Sequence, residues 1–132
     1  MRPGEEMRMD ITPLIPADRQ VIDTYGPGRF RISNTLYETA VIVFPDRTVL
    51  WDIGTFEGLD AASVQAVRTA EPPVELLLLG CGPRMRLLPS AVKQDLRRAG
   101  IVVEAMDTPA ACRTYNVLLA EGRRVAAALL PI

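Results

Sequence analysis

Gly80-Cys81-Gly82-Pro83-Arg84 follows a nearly unbroken apolar run, Val74 to Leu79, and combines the residue types best suited to holding a small anion. A glycine-rich turn at the carboxyl end of a strand can aim backbone N–H groups at a ligand, and Arg84 and Arg86 would add positive charge. In open α/β sheets that edge is where ligands lodge. The spacing is neither G-x-G-x-x-G nor a P-loop, because the lysine and the Ser/Thr are missing. Backbone geometry is the commoner reason for glycines at such a turn. Asp107 ends the next strand-like run, where it would help Thr108 cap a helix or act as a lone acid or base. A second carboxylate could approach only from Asp52, which ends another run. Asn116 falls mid-helix, where asparagine has poor propensity, four residues after Cys112. If buried it needs hydrogen-bond partners, and loop backbone at the sheet edge is nearest. It would then hold that loop or touch a ligand. Gly80, Cys81, Gly82, Arg84, Arg86, Asp107 and Asn116 form the candidate ligand-binding set; no catalytic set or metal-ligand set emerges.

Much chemistry is excluded by composition. The 132 residues contain no histidine, which removes Ser-His and Cys-His nucleophile activation and the commonest zinc ligand. The two cysteines, Cys81 and Cys112, form no CxxC motif and no disulfide framework. If their strands are neighbours, both thiols face one sheet edge and could form a reversible redox pair; the plainer reading is two small buried hydrophobes. A net charge of -1 and 5% aromatic residues give no footprint for nucleic acid. Hydrophobic residues at 48% and charged residues at 23% mark an ordinary globular chain with room for one core. No cofactor is expected. Met1 to Asp10 lacks a signal-peptide h-region, and no apolar run is long enough to cross a bilayer, so a cytoplasmic protein without a signal or transit peptide is expected.

The elements that must position these residues can be read from the pattern. Residues 1–18, with Pro3, Pro13 and Pro16, are expected to form a loose N-terminal arm, with Ile11 to Ile15 docked on the body. Residues 19–132 are expected to form one α/β domain. Val21 to Tyr25 and Phe30 to Ser33 flank Gly26-Pro27-Gly28, which predicts a hairpin. Thr39 to Phe44 and Thr48 to Ile53 predict a second hairpin, with Val41 to Phe44 buried on both faces and Trp51 in the core. Leu59, Ala62, Ala66, Val67 and Ala70 predict one helix face, with Asp60 as N-cap and Pro72-Pro73 as the stop. Val74 to Leu79 predicts a central parallel strand. A helix opening at Pro89 or Ser90 and ending at Gly100, a strand over Ile101 to Met106, a helix capped at Thr108-Pro109 and ending at Gly122, and a last strand over Arg124 to Leu130 complete a β-α-β-α-β half. The fold class is therefore α/β, a three-layer single domain. Its mixed sheet joins N-terminal antiparallel hairpins to C-terminal strands that right-handed crossovers make parallel.

Several segments carry a resemblance when taken in order: Asp23-Thr-Tyr-Gly26, Gly28-Arg-Phe30, Leu79-Gly-Cys-Gly82, Gly100-Ile-Val-Val-Glu104, Met106-Asp-Thr108, Thr114-Tyr-Asn-Val-Leu118 and Glu121-Gly-Arg-Arg-Val-Ala-Ala-Ala128. From about Val21 to Ile132 the chain resembles the family of mitochondrial respiratory complex I assembly factor 3 and its bacterial homologues of unassigned function. The resemblance implies a three-layer α/β fold with a mixed sheet. It also implies a non-catalytic assembly or scaffold role through protein partners, namely respiratory-complex subunits of the membrane-peripheral arm. It supplies no catalytic residues. The alternative is a small-molecule- or anion-binding protein, or an enzyme, using the crevice around Gly80 to Arg86 and Asp107.

Overall fold

The computed structural model describes residues 18–132. The expected arm and the docking of Ile11 to Ile15 lie outside the described residues, apart from Asp18. Among the described residues, eight strands form two sheets. Strands β1 (Ile22–Gly26), β2 (Arg29–Ile32) and β3 (Thr35–Tyr37) form a small antiparallel sheet. Strands β4 (Val41–Phe44), β5 (Arg47–Leu50), β6 (Leu76–Gly80), β7 (Val102–Met106) and β8 (Val125–Leu129) form the main sheet, in the order β5-β4-β8-β6-β7. β6 runs parallel to both β7 and β8, while β4 is antiparallel to β5 and β8. The mixed sheet and the β-α-β-α-β half are as the pattern predicted.

The two long helices lie on opposite faces for a topological reason. The connection from β6 through α2 (Ser90–Arg98) leads outward to β7, whereas the connection from β7 through α3 (Thr108–Ala120) leads back past β6 to β8. Crossovers of one hand that run in opposite directions must cover opposite faces. The core divides accordingly. Leu77, Leu79, Ala126 and Ala128 pack with Val92 and Leu96 of α2, while Leu78, Val125, Ala127 and Leu129 pack with Ala111, Cys112, Tyr115 and Leu119 of α3. Strand side chains alternate between faces, so these all-apolar strands serve both cores at once.

Three sequence expectations need correction. The first hairpin continues into a third strand, β3, through Ser33 and Asn34, both with positive φ (46° and 69°), as a two-residue type I′ connection requires. Its weak three-residue pattern escaped the periodicity. The predicted helix over 59–70 is instead a 3₁₀ turn at Ala62–Val64 followed by one α turn, α1 (Gln65–Arg68). Leu59, Val64, Val67 and Ala70 are buried, but Ala62 and Ala66 of the proposed stripe are exposed. Asp60 does act locally: its carboxylate accepts from the Ser63 amide at 2.9 Å, and Ser63 Oγ accepts from the Asp60 amide at 3.1 Å. The remaining correction concerns Asn116, whose partners are not at the carboxyl edge.

Asn116 holds the small sheet to the body. Its Oδ1 accepts from the Ile22 amide at 3.0 Å and its Nδ2 donates to the Ile22 carbonyl at 2.8 Å. β1 is an edge strand, so the side chain satisfies both polar groups of one residue as a neighbouring strand would. Beside it, the Tyr115 hydroxyl donates to the Gln20 carbonyl at 3.0 Å. Ile22, Phe30 and Ile32 then bury against α3. Replacing Asn116 with leucine removes both bonds and leaves the Ile22 groups without their side-chain partner, at a cost of about 1–3 kcal/mol. Urea denaturation of N116L should show the midpoint falling, and hydrogen exchange should show β1 amides losing protection before those of β6.

Candidate functional site

Adjacent parallel strands β6 and β7 send their carboxyl-end connections to opposite faces of the sheet, which is the arrangement that opens a ligand crevice in α/β folds. Gly80, Cys81, Gly82 and Asp107 meet at this point. So does Thr108, a residue that sequence reasoning assigned only to capping.

Here the crevice is closed by the chain itself. The Thr108 hydroxyl, fully buried, accepts from the Gly82 amide at 2.8 Å and donates to the Leu130 carbonyl at 2.6 Å. Around it, the Cys81 amide donates to Met106, the Thr108 amide to Gly82, and the Leu130 amide to Gly80, at 2.8–2.9 Å. Both amides that could have cradled an anion, those of Cys81 and Gly82, are thus bonded within the fold. Gly80 is demanded by close approach: a Cβ there would lie 2.8 Å from Thr108 Oγ1 and 3.0 Å from Thr108 Cα. Gly82 is demanded by its backbone, at φ +96°. Asp107, not Thr108, is the N-cap of α3, its Oδ1 accepting from the Ala110 amide at 2.7 Å with proline in the first turn. Thr108 is thereby freed to turn inward. A buried hydroxyl with a backbone donor on one side and a backbone acceptor on the other is a latch, and only the side chain's approach to two distant segments reveals it.

The remaining candidates are dispersed. Arg86 pairs with Glu57 at 2.7 Å, and its guanidinium lies 4.3 Å from the centroid of the Phe56 ring. That hydrogen bond to Arg86 holds the exposed Glu57 carboxyl below its ordinary range. Arg84 is exposed, and Asn116 is bound to β1. Asp52 is exposed beyond β5. Trp51 is core, with its indole N–H donating to the Ser63 carbonyl at 2.7 Å.

The two thiols do not share an edge. Cys81 continues the alternation Leu77, Leu79, Cys81 toward the α2 face, whereas Cys112 projects from α3 into the opposite core. Both are free and buried on different sides of the sheet, so the redox pair is ruled out by the same reversal that separates the helices. Burial pushes the Cys112 thiol from 9.0 up to about 12, away from the reactive thiolate. Burial likewise raises the Tyr115 phenol.

The family model described as "Protein of unknown function (DUF498/DUF598)" matches residues 22–130. An uncharacterized protein of Rhodobacter capsulatus is 40% identical over 111 residues, covering 84% of each chain. The zebrafish Danio rerio protein named NADH dehydrogenase [ubiquinone] 1 alpha subcomplex assembly factor 3 is 37% identical over 111 residues, or 84% of this chain and 64% of that protein. The chain thus spans less than two-thirds of that relative's length. A crystal structure of a Bordetella parapertussis protein superposes with a TM-score of 0.81 at 36% identity, covering 86% of this chain and 97% of that one. A Bartonella henselae structure described as an outer membrane protein gives 0.79 at 33%, covering 87% and 97%. No helix among the described residues is long and apolar enough to cross a membrane.

The latch and the Cys112 thiol each have measurable consequences. Thr108→Val keeps the shape but orphans the Gly82 amide and the Leu130 carbonyl, and chemical denaturation should report a loss of about 2–4 kcal/mol; Thr108→Ser should lose only about 1 kcal/mol, from one methyl. Gly80→Ala should cost about 1–3 kcal/mol through overpacking. The folded state retains the Cys112 proton that the unfolded chain releases above pH 9, so stability should fall between pH 9 and about 12. The expected slope is at most about 1.4 kcal/mol per pH unit for each such group. Denaturation series from pH 8 to 11 on the wild type and Cys112→Ala check this, the variant showing the shallower decline. Residues 22–130 match the family model, which is nearly all of the described residues, so the chain belongs to the DUF498/DUF598 family.

Proposed function

We propose that the chain is a non-catalytic assembly protein that works through protein contacts, its partners being subunits of the peripheral arm of a bacterial NADH dehydrogenase. One observation about the surface carries the reading. The backbone donors of the Gly80–Gly82 turn are bonded internally, while the loop just beyond it holds Met85 at 54% and Leu87 at 86% exposure, alternating with Arg84 and Arg86. Two large apolar side chains left in water on one loop suit a protein contact surface better than a pocket. The name of the zebrafish relative supplies the class of partner. A cytoplasmic location follows from that partner class.

The competing reading, an anion-binding protein or enzyme using Gly80, Cys81, Gly82, Arg84, Arg86, Asp107 and Asn116, is weakened by the same bonds. Only Arg84 of that set projects into solvent without a described partner. The test is reciprocal capture of the full chain with purified peripheral-arm subunits, together with native gels of membranes from a strain lacking the gene. Capture of a defined subunit should weaken at least tenfold in Leu87→Asp with the fold intact, and assembled dehydrogenase should fall in the deletion strain. Normal dehydrogenase levels and no captured subunit would overturn the proposal.

A further inference from the structure

At the opposite end of the main sheet lies a cleft of about 480 Å³ that the sequence motifs did not indicate. Its walls come from segments far apart in the chain. These are the β4–β5 turn with Phe44 to Arg47, Pro72 to Val74 ahead of β6, Arg123 and Arg124 ahead of β8, and the last turn of α3 with Leu119 and Ala120. Arg19 enters because the Gln20 amide is bonded to the Pro45 carbonyl at 2.8 Å. The volume is that of a pocket for one small organic molecule.

Charge in this cleft departs from the rest of the protein. Four arginines line it against a single carboxylate, Asp46, in a chain whose net charge is -1. Arg47 is held by Asp46 at 2.9 Å and lies 4.2 Å from the centroid of the Phe44 ring. Arg124 is paired with Glu75. Arg123 makes no salt bridge with a described residue. The nearby Glu75 carboxyl is paired with Arg124, which, with the charge of Arg123, holds it below its ordinary range, so the Arg123 guanidinium fork keeps donors for a ligand. At the end of α3 the carbonyls of Val117, Leu118 and Leu119 accept from the amides of Glu121, Gly122 and Arg123 at 3.0–3.2 Å. Pro45, Pro72, Pro73 and Ala120 supply the accessible apolar wall, over the buried Phe44, Val74 and Leu119. Guanidinium groups over an apolar floor favour a ligand with an oxyanion head and an apolar body, since arginine pairs with planar carboxylate and with phosphate through two parallel bonds.

We propose that this cleft binds a small amphipathic organic anion, its carboxylate or phosphate head on Arg123 and Arg19 and a ring-sized apolar body against Pro45, Pro72 and Pro73. The site lies at the amino ends of the parallel strands, so it is independent of the Gly80 turn and of the assembly role. Titrating the isotope-labelled full chain with 1-naphthoate, with 1-naphthyl phosphate and with neutral 1-naphthalenemethanol, followed by amide NMR, tests it. Saturable shifts centred on Val74, Gly122 and Arg123 are expected from one or both anions, and the arm that saturates at lower concentration identifies the head group. The neutral alcohol should bind at least tenfold more weakly. Arg123→Ala should weaken the anion about tenfold, the loss of one charged bidentate contact. Ala120→Phe should block the cleft while leaving every charge in place, and its dispersed spectrum would show that it folds. No saturable shift from either anion, equal binding of the alcohol, or an unchanged affinity in Arg123→Ala would each overturn the assignment.

Discussion

The hydroxyl of Thr108 sits where three segments of backbone converge: the turn after β6, the start of α3 and the residues after β8. None of these can move alone. The amide of Gly82 and the carbonyl of Leu130 are both satisfied by this one oxygen, and both lie where water does not reach. A buried backbone group without a partner costs on the order of 1–3 kcal/mol, so one side chain secures two such groups at once. The approach that makes this possible requires Gly80 to have no side chain, because α3 begins where its Cβ would stand. Cap and latch also depend on each other. Asp107 takes the capping duty, and the residue after it can therefore face the interior.

The same junction explains the distribution of chemistry in the protein. An α/β sheet with diverging crossovers leaves a crevice between them, and here the chain just after the final strand reaches into it through Leu130. The Cys81 and Gly82 amides, which might have met a ligand, meet the chain. The turn is thereby rigid, and it projects the loop carrying Met85 and Leu87 from a fixed base. An apolar loop on a rigid base suits recognition of another protein, because little order remains to be imposed on binding.

At the far end of the sheet the balance differs. There the strands begin rather than end, the helix terminus is self-capped, and proline-rich and arginine-rich connections meet without filling the space between them. The protein is thus closed at the edge where such folds usually bind and open at the edge where they usually do not. The alternation of side chains along β6 and β8 separates the two cores cleanly, which also isolates Cys81 from Cys112 across a single sheet.

The β-α-β-α-β half was legible in the chain because its signals are local: an apolar run for each buried strand, glycines after each helix, and Asp107-Thr108-Pro109 at a helix start. The Gly26-Pro27-Gly28 hairpin was legible for the same reason. β3 and the broken helix over 59–70 were not, since three-residue strands and 3₁₀ turns carry too little periodicity to register. The candidate site divides in the same way. Sequence placed Gly80, Cys81, Gly82 and Asp107 at one sheet edge by itself, because strand ends follow from strand boundaries. Only the tertiary structure decided that Thr108 closes that edge, that Asn116 holds β1, that the thiols lie on opposite faces, and that Arg19, Arg47, Arg123 and Arg124 share a cleft. Each of those facts depends on contacts between residues distant in sequence, and their geometry is set by the order and direction of the strands, which local patterning does not encode.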